Sequence, residues 1–391
     1  MTGRRDVALL FGALGAFYLS ISMLVPTLPL YVVEIGGSPV QVGLVAGGFS
    51  IGVLLARPFV GRAVDTRGRR PLLVAGSLTA AVMAPLYAVP VIASLVLVRL
   101  VHGAGLSAFT TATTTLGADY APPGRRTEIL GWLSTAGIVA FAVGPVVGLE
   151  IARRFGWPAL YAAVGVCALA SAVCGGFLPR PVRRPRDGGG VGFRAAVVRR
   201  AVLTPTIVNL LVVTAHGAAF TFVPILLQER LSFNFGVFFL VYAVASLAVR
   251  VFAGRLSRTV GDGPMVWGGL ALYAAGLACL PLVNEARMMS LSAVLLGVGF
   301  GTYQPALFGL VANASTDATR GMVFSVLLGG FDLGMSVGGL LGGPLAQGLG
   351  IPALLAVMAA VPVAAAAIFI VVLGWRPTPE AECESALAEV A

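Results

Sequence analysis

Lysine is absent from this 391-residue chain, so all 26 of its basic side chains are arginine. Charge of either sign is scarce. Charged residues make up 11% of the chain, against about 25% in a typical soluble domain. Hydrophobic residues make up 58%, more than a water-soluble core can hide, so lipid is the solvent for most of the chain. Histidine occurs only at His102 and His216. The four cysteines are Cys167 and Cys174 in one apolar run, Cys279 in another and Cys383 near the C-terminus. Their spacing fits neither a metal site nor a disulfide framework. The sequence has no phosphate-binding loop and no nucleophile–base pair outside the apolar runs, so neither an enzyme nor a bound cofactor is expected. The arginines lie between apolar runs. The net charge of +10 therefore points to anionic lipid headgroups and the positive-inside rule, not to nucleic acid.

What the sequence has in quantity is runs long enough to cross a bilayer, which takes about 20 apolar residues. They fall near 7–33, 41–63, 71–91, 93–118, 127–151, 158–179, 203–228, 235–257, 264–284, 287–313, 320–347 and 351–374. The expected fold class is an all-α integral membrane protein with twelve transmembrane helices. The first run follows Arg4 and Arg5 like a signal peptide, but it is too long for one and lacks a small-residue cleavage site, so it reads as a retained span. One gap is long: residues 179–200, rich in Pro, Gly and Arg. It divides the chain into an N-terminal bundle (1–178), a linker (179–200), a C-terminal bundle (201–375) and a disordered acidic tail (376–391). With the N-terminus inside, the inner segments hold Arg4, Arg5, Arg62, Arg67, Arg69, Arg70, Arg125, Arg126, the linker arginines, Arg255, Arg258, Arg320 and Arg376. The outer loops hold only Arg153, Arg154, Arg230 and Arg287. This bias predicts a cell inner membrane protein with both termini in the cytoplasm.

The chain also repeats itself. Residues 54–71, "LLARPFVGRAVDTRGRRP", align without gaps with 247–264, "LAVRVFAGRLSRTVGDGP", at an offset of 193. Arg57 matches Arg250, Gly61 matches Gly254, Gly68 matches Gly261 and Pro71 matches Pro264. "FGWPALYA" (155–162) is echoed by "LGIPALLA" (349–356). Two six-helix halves of like topology, pseudo-symmetric about an axis along the membrane normal, are a transporter architecture.

These features resemble the major facilitator superfamily over essentially the full length, and within it the drug:proton antiporter branch. The loop after span 2 is similar to that family's G-x-x-x-D-x-x-G-R-[KR] signature, here Gly61, Asp65, Gly68, Arg69 and Arg70. Span 4 carries "RLVHGAG" with Arg99, His102, Gly103 and Gly105. Span 5 carries a partial exporter pattern, Gly137, Gly144, Pro145 and Gly148, with Ala140 and Leu149 at two positions where the pattern has glycine. The resemblance implies a conformational latch in the first loop. Gly61 and Gly68 would let spans 2 and 3 turn tightly and pack on span 11. Asp65 would lie at the N-terminus of span 11, near Arg320 and Gly321, favoured by the helix dipole, and Asp119 would join its arginine network. The second copy has Arg258 in place of Asp65 and lacks the latch.

Ionisable groups inside spans are costly and mark function. Asp332 lies too deep in span 11 to snorkel. A carboxyl without water favours its neutral form, which makes it a candidate proton carrier. Arg99, by resemblance, joins proton transfer or contacts substrate, and His102 is a further proton-coupling candidate. Arg57 and Arg250 read as structural, pairing with acids near the loops or snorkelling. Tyr18, Ser22, Asn209, His216, Tyr303 and Gln304 are candidates for the substrate cavity, because the resemblance has spans 1, 4, 7 and 10 line it. Pro305 is expected to break span 10. Glu150 is expected to pair with Arg153 and Arg154 at the outer face.

The leading expectation is a proton-coupled exporter of small lipophilic or amphipathic compounds, driven by the proton gradient and working as a monomer among membrane lipids. The alternative is a symporter or facilitator for a carboxylate, sugar or other metabolite, with Arg99 as the anchor of a carboxylate. A sensor that keeps the fold without transporting is the third reading.

Overall fold

The computed structural model describes residues 4–120, 126–179, 200–315 and 319–374. The linker and the acidic tail lie essentially outside the described residues. Among those described, the elements are helices: α1 (Arg4–Glu34), α2 (Pro39–Arg67), α3 (Arg69–Leu86), α4 (Ile92–Tyr120) and a long stretch over Arg126–Gly176. Gly156, at φ 80° and ψ 174°, breaks that stretch into α5 (126–155) and α6 (157–176). Then come α7 (Arg200–Arg230), α8 (Val237–Val260), α9 (Asp262–Cys279), a 3-10 turn at Leu280–Leu282, α10 (Ala286–Asn313), α11 (Arg320–Leu349) and α12 (Ile351–Leu373). Inside lipid each backbone N–H and C=O must find its partner within the chain, and a helix satisfies this segment by segment.

Among the described residues ten helical stretches are long and apolar enough to cross a membrane, where the sequence suggests twelve spans. The difference has two sources. α5 and α6 are joined through the single residue Gly156 and count as one stretch, and α3 begins with Arg69 and Arg70, which lower its hydropathy. Large apolar side chains point outward along the bundle. Phe59 is 71% and Val371 83% exposed, a surface that suits lipid and would aggregate in water.

The sequence repeat is a repeat of turn geometry. Gly68 ends α2 and starts α3 at φ 90° and ψ 168°, its N–H donating to the Val64 carbonyl at 3.2 Å. Gly261 does the same between α8 and α9 at φ 90° and ψ 158°, donating to the Ser257 carbonyl at 2.9 Å. Gly156 and Gly350, φ 80° and 83°, form the second matched pair, between α5 and α6 and between α11 and α12. A residue with a Cβ is strained in this region of φ and ψ. A proline in the first turn follows each time: Pro71, Pro264, Pro158 and Pro352, where its missing N–H costs nothing. At the start of α2, Ser38 and Gln41 form a capping box that meets the helix's orphan donors.

Helix α1 packs on α5, α2 on α4 and α11, α7 on α11 and α12, and α10 on α8 and α9, while α5 also meets α8. The contacts of α2 with α11 and of α5 with α8 crowd towards one end of the bundle, the end opposite the chain's first residues, called here the distal end. A Cβ on Gly343 would stand 2.8 Å from Val40 Cα, and one on Gly47 2.9 Å from Leu340 Cγ. Gly236 meets the Val146 backbone equally closely, and Asn234 donates to the Val146 carbonyl (3.3 Å) and to Glu150 (3.2 Å).

Among the described residues a Cβ on Gly61 would meet nothing within 4 Å, and the close approach of α2 to α11 falls at Gly43 and Gly47. The expected contact of the latch loop with the start of α11 lies outside the described residues. One expectation changes here. Pro305 does not break α10, which runs on from Ala286 to Asn313. Its neighbours absorb the missing hydrogen bond, as they do for proline in other membrane helices.

Candidate functional site

A cavity of about 740 Å³ lies at the centre of the bundle. Its walls come from α1, α2, α4, α5, α7, α8, α10 and α11, and it reaches away from the closed distal end, to Thr114 on α4 and Leu133 on α5. Most of the lining is aliphatic or aromatic. The charged lining residues are Arg99, Arg250 and Asp332.

Asp332 forms an ion pair with Arg57. Arg57 Nε donates to Asp332 Oδ2 at 2.6 Å, and Nη2 makes a second contact with the same oxygen. The two side chains are 32% and 15% exposed, so the bridge is only partly screened. It spans α2 and α11, far from the loop acids that the sequence suggested for Arg57. Among the described residues Arg99 pairs with no carboxylate. Its guanidinium lies over the Phe49 ring, 4.0 Å from the centroid, and its Nε makes a long 3.4 Å bond to the Val45 carbonyl. Such a cation–π contact fixes the cation without neutralising it. Arg250 donates from Nη2 to Gln304 Oε1 at 2.7 Å, while its buried Nε has no hydrogen-bond partner.

Of the other predicted cavity residues, Tyr18, His216 and Gln304 line the space. His216 stacks on Phe220 with centroids 3.9 Å apart, and its Nδ1 shares a hydrogen bond with the Tyr273 hydroxyl at 2.7 Å. His102 is fully buried behind the wall, with its Nδ1 2.8 Å from the Tyr87 hydroxyl. Asn209 is also fully buried, donating to the Leu327 carbonyl at 3.3 Å. Tyr303 is buried beside Tyr273 and Phe300, and its hydroxyl has no partner. These three pack the wall and do not line the cavity.

The glycines do steric work. Gly137 meets the Tyr18 ring, a Cβ there standing 3.2 Å away, and Gly144 and Gly148 meet the backbone of α1 at Met23. Ser22 donates to the Ala140 carbonyl at 2.8 Å across the same seam. Gly103 lies against the α2 backbone at Phe49, and Gly105 against Thr79 on α3. Pro145 lines the cavity, and its carbonyl lies against Gly236. In the latch loop, Arg69 Nε is 3.2 Å from Asp119 Oδ2, and Arg70 reaches the Gly176 carbonyl. The side chains of Asp65, Arg320 and Gly321 lie outside the described residues. At the distal end Glu150 pairs with Arg153 at 3.0 Å and with Arg154, and Trp157 donates to Glu34 at 2.8 Å.

Sequence reasoning found two of the cavity charges, Arg99 and Asp332, but read Arg250, which also lines the cavity, as structural, and it missed the Arg57–Asp332 bridge. The available signal was that Asp332 is an acid deep within a span, so one of the in-span arginines was its natural partner. The aromatic wall of Phe49, Phe220 and Phe300 had no signal, because each sits unmarked in an apolar run.

Comparison with known proteins agrees with this architecture. The multidrug resistance protein MdtG of Dickeya zeae is 27% identical over 367 residues, covering 89% of this chain and 90% of that protein. The multi-drug resistance efflux pump PmrA homolog of Lactococcus lactis is 24% identical over 351 residues, covering 85% and 86%. Among solved structures, the human organic anion transporter MFSD10 (TETRAN) superposes with a TM-score of 0.68 at 18% identity, covering 94% of this chain and 99% of that one. The nucleoside transporter NupG gives 0.79 at 11% identity, covering 94% and 99%. At such identities the likeness is one of fold. The Major Facilitator Superfamily profile matches residues 10–285 and 235–390, and the chain therefore belongs to that superfamily of membrane transporters and is not an enzyme.

Proposed function

We propose that this protein exports small lipophilic or amphipathic compounds in exchange for protons, by alternating access between two six-helix halves totalling twelve spans. The halves would be residues 1–178 and 201–375, joined by the linker, with both termini in the cytoplasm of a cell whose inner membrane holds the protein. No cofactor is required beyond the proton gradient, and a monomer is sufficient. The matched glycine turns support the two halves, the names of the MdtG and PmrA relatives support efflux, and the arginine bias supports the orientation. In that orientation the distal end is the outer one, and the conformation described is inward-facing.

The Arg57–Asp332 pair carries the reading. Asp332 is reached from the cavity and holds a bridge between α2 and α11, which belong to opposite halves. A proton on its carboxylate removes the charge and releases Arg57, so protonation and the contact between the halves are linked through one atom group. Substrate and proton then compete across the same cavity, as exchange requires.

The test uses purified protein in liposomes that hold a pH-sensitive dye under an imposed pH gradient, with wild type beside Asp332→Asn. The expected result is that lipophilic compounds dissipate the gradient in wild type and not in the variant. Compounds that cross without moving protons, or solutes that carry protons inward with them, would show the export reading to be wrong.

A further inference from the structure

The charges lining the cavity do not balance. Among the described lining residues Asp332 is the only acid, and Arg57 already neutralises it. Arg99 and Arg250 remain, and among the described residues neither pairs with a carboxylate. A guanidinium held in a water-poor site at the cost of its hydration calls for an anion to compensate it. Both cations are also positioned with donors to spare. Phe49 supports one face of Arg99, and the Val45 carbonyl and the Tyr87 hydroxyl meet only part of its five N–H donors. Gln304 occupies one nitrogen of Arg250, and the Nε of that side chain is buried and unpartnered. A planar fork of N–H donors matches a carboxylate better than any neutral or cationic group. The repeat shows where the imbalance comes from. Arg57 and Arg250 are matched positions, and the offset of 194 set by Gly156 and Gly350 between α5 and α11 carries Asp332 back to Ile138 in the cavity wall. Helix α5 thus has an apolar residue where α11 has the acid.

We infer that the substrates are amphipathic organic acids, the carboxylate drawn to the cationic wall that Arg99 and Arg250 give the cavity and the apolar body laid against Phe49, Phe220 and Phe300. This rests on the transport reading of the same cavity and narrows its substrate class. Lipophilic cations are excluded by the same two arginines.

The test is equilibrium binding to the full chain in nanodiscs, with three matched probes: a dansyl-labelled long-chain carboxylic acid, its methyl ester and the corresponding primary amine. The acid is expected to bind at least about tenfold more tightly than the ester, with the amine weakest. Arg99→Gln and Arg250→Gln should each remove most of the acid's advantage and leave the ester unchanged, which also reports that the cavity is intact. Arg250→Lys should keep part of the advantage and stands in for any glutamine variant that fails to fold. The inference is overturned if acid and ester bind alike in wild type, if the amine binds best, or if the variants weaken the ester as much as the acid. Acid preference without proton exchange in liposomes would fault the coupling alone. Proton exchange with lipophilic compounds but no acid preference would fault this inference alone.

Discussion

Arg57 and Arg250 stand at the same position in two copies of one segment, yet they end in different company. Each lies upstream of a one-residue glycine turn with the same backbone angles. Arg57 crosses from α2 to Asp332 on α11, while Arg250 stays within its own neighbourhood and meets the neutral Gln304 on α10. The segment and its glycine turn are duplicated, and the chemistry beside them is not. A single difference, an acid on α11 and Ile138 on α5, turns one arginine into half of an ion pair and leaves the other with a neutral partner in the cavity. In a repeated fold, the positions where the copies disagree are the ones to read for function.

The comparison can be broken most forcefully at the pair. Arg57→Leu leaves Asp332 without its partner and should lower stability by roughly 2 kcal/mol, less than the 3–5 of a fully buried pair because Arg57 is one-third exposed. The double variant Arg57→Leu, Asp332→Leu should recover most of that stability in thermal unfolding while remaining unable to exchange protons. If the single variant unfolds like wild type, the bridge is ornamental. Next come the turns, where the copies should behave alike. Gly68→Ala and Gly261→Ala should each cost about 1–2 kcal/mol, because both impose a Cβ on a glycine-only conformation. Unequal losses would show that the halves are not mechanically equivalent. Ile138→Asp would place on α5, in the first half, the acid that Arg250 lacks. The acid-over-ester preference should then fall about fivefold, worth about 1 kcal/mol, in the nanodisc binding measurement. The smallest effect belongs to Gly61→Ala. With open space at its Cβ, it should change the unfolding midpoint by less than about 0.5 kcal/mol, against the larger loss at Gly68 seven residues on.

The fold was legible because lipid makes helices long, apolar and separated by arginine or glycine. The run at 7–33 became Arg4–Glu34 and the run at 287–313 became Ala286–Asn313, each within a few residues. The break between spans 5 and 6 was placed as a short loop, and the chain instead needs only Gly156, since one non-helical residue is enough to reverse direction. Asp332, Arg99, Tyr18, His216 and Gln304 were legible as cavity residues because polar groups stand out against an apolar run. His102, Asn209 and Tyr303 stand out equally and are buried in the wall. Sequence marks which residues are polar, but which way a helix turns depends on packing partners far away in the chain. For the same reason the pairing of Arg57 with Asp332, 275 residues apart, needed the packing of α2 on α11.

The glycine turns have a mechanical consequence. Gly68, Gly261 and Gly350 each cap two helices at once, with hydrogen bonds back into the preceding helix. A joint one residue long stores no slack. That bond fixes the glycine to the end of the preceding helix, so α3 moves against α2 only by rotation about the backbone of this one residue, and the same holds for α9 on α8 and α12 on α11. These hairpins are stiff levers. A push delivered to α2 or α11 at the cavity wall reaches its hairpin partner undiminished, and compliance is left to the longer connections at the distal end, 35–38 after α1 and 87–91 after α3.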